Sequence, residues 1–80
     1  MKARVTVTLK SSILDPQGNA IEGALRALGL SGIASVRQGK VFDIELEGAD
    51  RAGAEAVLRD AAEKLLANTV IENYQIQLMR

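Results

Sequence analysis

No cysteine, histidine or tryptophan occurs in this sequence, and proline, tyrosine and phenylalanine occur once each. Without cysteine there are no disulfides and no thiolate chemistry, which leaves the compartment open and suits a cytosolic one. Without histidine, zinc sites, histidine general bases and serine triads of the usual kind have no material. Aromatic side chains make up 2% of the chain, too few to offer a stacking platform for bases. An excess of one charge is lacking as well. Ten basic and ten acidic side chains cancel, whereas a nucleic-acid or membrane-surface partner calls for a concentrated positive field. No run approaches the roughly twenty apolar residues of a spanning helix. Met1-Lys2 leads straight into an alternating pattern, so no secretory signal is expected.

What remains is 48% hydrophobic within 80 residues, enough for one small domain, 1–80, with a core of Val, Ile, Leu and Ala and marginal stability on its own. Self-association would offset that. Ala3, Val5, Val7 and Leu9 alternate with Arg4, Thr6, Thr8 and Lys10, the pattern of a half-buried strand that should end near Ser11. Asp15-Pro16-Gln17-Gly18 opens a helix. Asp15 can cap it and Pro16 fits its first position. Ile21, Ala24, Leu25 and Leu28 form its apolar face, and Gly29 is placed to end it. Gly18 and Gly23 weaken this helix, and close approach of another backbone at Gly23 would account for one of them.

From Phe42 onward, Phe42, Ile44 and Leu46 alternate with Asp43, Glu45 and Glu47, giving a strand with one buried face. What precedes it admits two readings. A two-residue turn at Gln38-Gly39 makes a hairpin with Ile33, Ser35, Phe42 and Ile44 on one face. A long bent strand reaching a neighbouring subunit is the other reading, and it turns Lys40 toward the core unless a bulge, a partner or solvent receives it. A turn or bend near Gly39 is the preferred one. Gly48-Ala49-Asp50 then breaks the strand, and Asp50 can cap a second helix with the stripe Ala54, Val57, Leu58, Ala61 and Leu65. Acid-before-base pairs, Glu55 with Arg59 and Asp60 with Lys64, support it. Asn68 is placed to take the left-handed stop. In the last strand Val70, Tyr74, Ile76 and Leu78 share a parity that Glu72 interrupts.

The order strand, helix, strand or hairpin, helix, strand predicts an α+β two-layer sandwich, an antiparallel sheet with two helices on one face, related to ferredoxin-like folds. Chemistry-bearing clusters are few. Asp43, Glu45 and Glu47 could bind a divalent cation, but a solvated strand face explains them more simply. Arg37-Gln38-Gly39-Lys40 has the wrong spacing for a phosphate loop and reads as an exposed turn. Gly29-Leu30-Ser31-Gly32 reads as a helix stop. Tyr74 reads as a core or interface ring.

Five blocks, Leu9-Lys10, Leu14-Asp15-Pro16-Gln17-Gly18, Val36-Arg37-Gln38-Gly39-Lys40, Leu65-Leu66-Ala67-Asn68 and Val70-Ile71-Glu72-Asn73-Tyr74, in this order and spacing resemble the PurS family, the small subunit of bacterial phosphoribosylformylglycinamidine synthase. Thr69 stands where the family pattern has proline, and Asn73 where it has aspartate. The resemblance spans the chain. It implies a non-catalytic assembly subunit of purine biosynthesis that bridges synthetase and glutaminase subunits and supports ammonia transfer, in the ATP- and glutamine-dependent amidation of formylglycinamide ribonucleotide. It further implies a cytoplasmic homodimer or tetramer with no cofactor of its own, ATP and magnesium belonging to the synthetase. Interface contacts are then expected from Asp15, Pro16, Gln17 and Gly18, from Arg37, Gly39 and Lys40, and from Asn68, Ile71, Glu72 and Tyr74, where polar residues are unexplained by strand or helix alternation. A regulatory domain of similar shape, binding a small molecule at a dimer interface, is the alternative from another class.

Overall fold

The computed structural model describes residues 1–48 and 50–79. Of the break expected at Gly48-Ala49-Asp50, Ala49 therefore lies outside the described residues, as does the last residue of the expected domain, Arg80. Three antiparallel strands, β1 (Lys2–Leu9), β2 (Gly39–Glu45) and β3 (Glu72–Met79), form one sheet in the order β2-β1-β3. Two helices, α1 (Pro16–Ala27) and α2 (Arg51–Ala61), complete the expected α+β, ferredoxin-like arrangement. The alternation in β1 does what its pattern dictates: Ala3, Val5 and Val7 are buried while Lys2, Arg4 and Thr8 are exposed. Phe42 and Ile76 flank Val5, and Ile44 and Leu78 flank Ala3, so one apolar face runs across all three strands.

α2 closes that face with Leu58, and Ala62 directly after it does the same. Its stripe departs from the expected one, because Val57 is exposed and Leu65 is 84% exposed. For Leu65 the cause is a π-helical turn, Ala62–Leu66, closed by the Ala67 amide on the Ala62 carbonyl at 2.8 Å. That wider turn carries an extra residue. It brings Leu66 and Ala67, rather than Leu65, to the core. Asp50 has the extended backbone of a cap but no side-chain capping bond, and Asn68 does not take the left-handed conformation expected of it. Instead the Asn68 carbonyl accepts from the Ile71 and Glu72 amides and its side chain accepts from Val70. This tight turn leaves Val70 outside β3 and exposed.

α1 behaves differently. It makes at most marginal contact with the sheet, and only Gly18 is buried along its length. Ile21 and Leu28 are exposed, Leu28 by 75%. After Gly29 and Gly32, both with positive φ (82° and 87°), the chain returns along α1 and re-enters the sheet at Gly39. Residues 30–38 join no strand, so the expected hairpin does not form. Its backbone donors are already taken: the Val36 amide donates to Glu22 Oε1 at 3.0 Å and the Gln38 amide to Asp15 Oδ2 at 2.7 Å. Gly39 serves close packing rather than a turn, since a Cβ there would lie 2.8 Å from Thr8 Cγ2 and from the Val7 carbonyl oxygen. Nor does Gly23 mark the close approach. That position is Gly18, where a Cβ would run into the Val36 carbonyl oxygen, while nothing approaches Gly23. α1 and residues 30–38 thus form an arm. The radius of gyration is 16.0 Å and the longest extent 49 Å, against about 12 Å expected for a compact domain of this length.

Candidate interaction site

At the root of the arm, three segments distant in sequence meet one end of the sheet. Asp15 organises them. It is only 4% exposed; Oδ1 accepts from the Gly18 amide at 2.9 Å and Oδ2 from the Gln38 amide at 2.7 Å. These two amides, Gln38 first, hold its carboxyl below the ordinary carboxylate range, because both bonds favour the charged form. One side chain therefore starts α1 and ties down the returning segment. Gln17 adds a second tie, its Oε1 accepting from Gln38 Nε2 at 2.7 Å. Arg37 is not a free cation: its guanidinium donates to the Lys10 and Ile13 carbonyls at 3.0 and 2.8 Å, clamping the arm to the end of β1.

Lys40 has the core-facing parity of Phe42 and Ile44, and what receives it is Glu72, the residue that broke the parity of β3. Lys40 Nζ lies 3.9 Å from Glu72 Oε2, with side chains 54% and 16% exposed, and 5.9 Å from the centre of the Phe42 ring. Glu72 Oε1 also accepts from the Asn68 amide at 2.6 Å, and the Ile71 carbonyl accepts from the Lys10 amide at 2.8 Å. Val7, Leu9, Asp15, Gln17, Lys40 and Glu72 are among the residues lining an open cleft of about 230 Å³. Of the expected contact residues, Asp15, Gln17, Gly39, Lys40 and Glu72 share this cleft. Gly18 and Arg37 brace it, Pro16 is exposed at the start of α1, and Asn68 and Ile71 shape the turn behind Glu72. Tyr74 is elsewhere, under α2, donating to Glu63 at 2.7 Å. That bond, with burial, raises its pKa.

Glu22 escaped sequence reasoning, which read Gln38 only as part of a turn, Leu28 only as part of the helix's apolar face and Leu30 only as part of a helix stop. A hint for Glu22 is its spacing from Arg26, with which it forms an ion pair of 2.7 Å. Two members of the acidic row are likewise spoken for: Asp43 pairs with Arg4 at 2.8 Å and Glu45 lies 3.9 Å from Lys2. Arg4 holds the Asp43 carboxyl below its ordinary value. Among the described residues no group of three potential metal ligands converges, and no helix is long and apolar enough to cross a membrane. A charged pair, two amides and exposed leucines can bind a surface. They provide no nucleophile held by a base.

The profile of a family described as PurS: Phosphoribosylformylglycinamidine (FGAM) synthase matches residues 2–80. The phosphoribosylformylglycinamidine synthase subunit PurS of Mycobacterium leprae is 52% identical over 75 residues, 94% of this chain and 91% of that protein. Among solved structures, PurS of Methanocaldococcus jannaschii, one of the subunits of formylglycinamide ribonucleotide amidotransferase, superposes with a TM-score of 0.90 at 34% identity, covering 99% of this chain and 95% of that one. A chain of PurLQS from Thermotoga maritima gives 0.89 at 31% identity, covering 98% and 95%.

Proposed function

Since the chain belongs to the PurS family of phosphoribosylformylglycinamidine synthase, the ligase of purine biosynthesis in which it is a subunit, we propose that it works by joining the other subunits rather than by catalysis. It bridges the synthetase and glutaminase subunits and supports ammonia transfer between them, for the ATP- and glutamine-dependent amidation of formylglycinamide ribonucleotide. ATP and magnesium are held by the synthetase, and the complex works in the cytoplasm. One observation carries this reading: Asp15, Gln17, Gly39, Lys40 and Glu72, from three segments distant in sequence, share one cleft beside an arm whose Ile21, Leu28 and Leu30 are exposed among the described residues.

The cleft, with Gln17, Lys40 and Glu72 on its walls and Pro16 nearby, is the surface offered to a partner subunit. Asp15, Gly18 and Arg37 act behind it by holding its shape. The apolar face of α1, Ile21, Leu25 and Leu28, packs on a second copy of the chain, giving a homodimer or tetramer. Exposed apolar area that the fold leaves unpaired is the usual mark of such contacts. Co-purification with the synthetase and glutaminase subunits, in the presence of glutamine and nucleotide, tests the proposal. A three-component complex is expected, and three separately eluting proteins would overturn it.

A further inference from the structure

Lys40 and Glu72 form an ion pair that does not close. Nζ and Oε2 stand 3.9 Å apart, beyond hydrogen-bond reach, while the other Glu72 oxygen, Oε1, is anchored on the Asn68 amide at 2.6 Å. Glu72 is thus fixed, whereas the Lys40 side chain is 54% exposed and free to move. Both charges open on the cleft of about 230 Å³, and so do Gln17 and Gln38. The bond between these two uses the Gln17 Oε1 and one hydrogen of Gln38 Nε2. Amide hydrogens of both remain to donate. Asp15, on the same wall, already has an amide on each oxygen. Val7 and Leu9 add apolar lining.

We propose that this cleft binds a free α-amino acid, its carboxylate on Lys40 and the Gln17 side-chain amide and its ammonium on Glu72 Oε2. The walls dictate the charge pattern of the ligand. A lone anion entering here meets Glu72 and Asp15, and a lone cation meets Lys40, so each forfeits much of what it gains. A zwitterion laid against the pair in the opposite sense avoids both penalties. Four charges then alternate around a square, and every adjacent pair attracts. An α-amino acid holds its two charges on a single carbon, so presenting them together costs it little conformational freedom. The cleft is also smaller than the roughly 300–1,000 Å³ of sites for drug-sized ligands, which suits an amino acid and excludes a nucleotide. The ligand's side chain runs over Val7 and Leu9.

One consequence rests on the reading of this cleft as a partner surface: an amino acid seated between Lys40 and Glu72 answers the charges that a partner subunit meets there, and so regulates docking. The site itself is tested without a partner. The full native chain is titrated with glycine and followed by the nuclear magnetic resonance signals of its amides. Saturable shifts are expected at Gln17, Gln38, Gly39 and Glu72, half complete on the order of 1 mM because half-exposed charges bind weakly. Glutamine should shift the same signals. Acetate and methylammonium, each carrying one of the two charges, should not. Lys40→Met and Glu72→Gln should each weaken glycine binding about tenfold, the loss of one charge contact, with unchanged circular dichroism, since Glu72→Gln keeps an oxygen for the Asn68 amide. Glycine that leaves the cleft signals unmoved, acetate that matches glycine, or folded variants that bind as the native chain does would each overturn the inference. Failed co-purification with synthetase and glutaminase would instead sink the proposed role and leave the glycine titration as it was.

Discussion

The body of the molecule and its arm are held together by opposite means. In the body, β1 is buried between two strands and beneath α2, and Ala3, Val5, Val7, Leu58 and Ala62 are almost without exposure. Removing that apolar surface from water stabilises it by roughly 1.5–3 kcal/mol for each large side chain. In the arm, polar groups make the ties: Asp15 to Gly18 and Gln38, Glu22 to Val36, Gln17 to Gln38, Arg37 to Lys10 and Ile13. Its leucines face outward. Hydrogen bonds fix geometry but contribute modest net stability, so burial dominates in the body while polar ties set the shape of the arm.

Cutting into the body should cost most. Leu58→Ala leaves a cavity beneath α2 and should lower unfolding free energy by about 2–4 kcal/mol, read by urea denaturation. Gly18→Ala attacks the arm through space alone. The added methyl displaces the Val36 carbonyl, at a cost on the order of 1–3 kcal/mol. Hydrogen exchange should then speed up in α1 and at Val36 and Gln38 while the amides of β1 stay protected. Equal loosening of β1 would break the contrast between the two regions.

The Asp15 tie is sensitive to acid. Its folded-state pKa lies below the ordinary 3.8, so its stabilisation is fully present above that value and is lost as pH falls through the lowered one. Between pH 5 and pH 2 the native chain should lose more stability than Asp15→Asn, whose side chain has no charge to lose. Parallel curves would show the carboxylate to be incidental. Lys40→Ala should change stability least, by about 0.5 kcal/mol or less, since a pair as long as 3.9 Å with its lysine half exposed is weak. Under the proposed role it should nonetheless reduce partner binding. Arg37→Ala is its foil, because that side chain holds the arm. It should loosen α1 in hydrogen exchange, which Lys40→Ala should not.

The body was largely legible in the sequence and the arm was not. Alternation in β1 is a local pattern that holds in the structure, and in the arm the one local pattern that holds is the Asp15-Pro16 start of α1. The interruption by Glu72 and the inward parity of Lys40 looked like separate faults in two strands. They are one ion pair, visible only once β1 brings the strands to either side of it. The stripe of α2 misleads after Ala61 because a π turn shifts it by one residue. Gly39 suggested a turn, but its neighbours across β1 explain it. The bonds from Asp15 to Gln38 and from Glu22 to Val36 span 23 and 14 residues, and no short-range pattern announces them. Segments Asp15–Gly18, Arg37–Lys40 and Asn68–Tyr74 were nonetheless singled out as polar residues without a local explanation, and each of the three contributes to one cleft, through Asp15 and Gln17, through Gln38, Gly39 and Lys40, and through Glu72.

Reconstituting the ligase tests the account most directly. Synthetase and glutaminase subunits, supplied with formylglycinamide ribonucleotide, ATP and glutamine, should form product at full rate with the native chain and far more slowly with Gly18→Ala, whose arm is displaced but whose sheet remains. The purified chain by itself should form none. Product made by the chain alone, or a full rate from the other two subunits without it, would contradict the account.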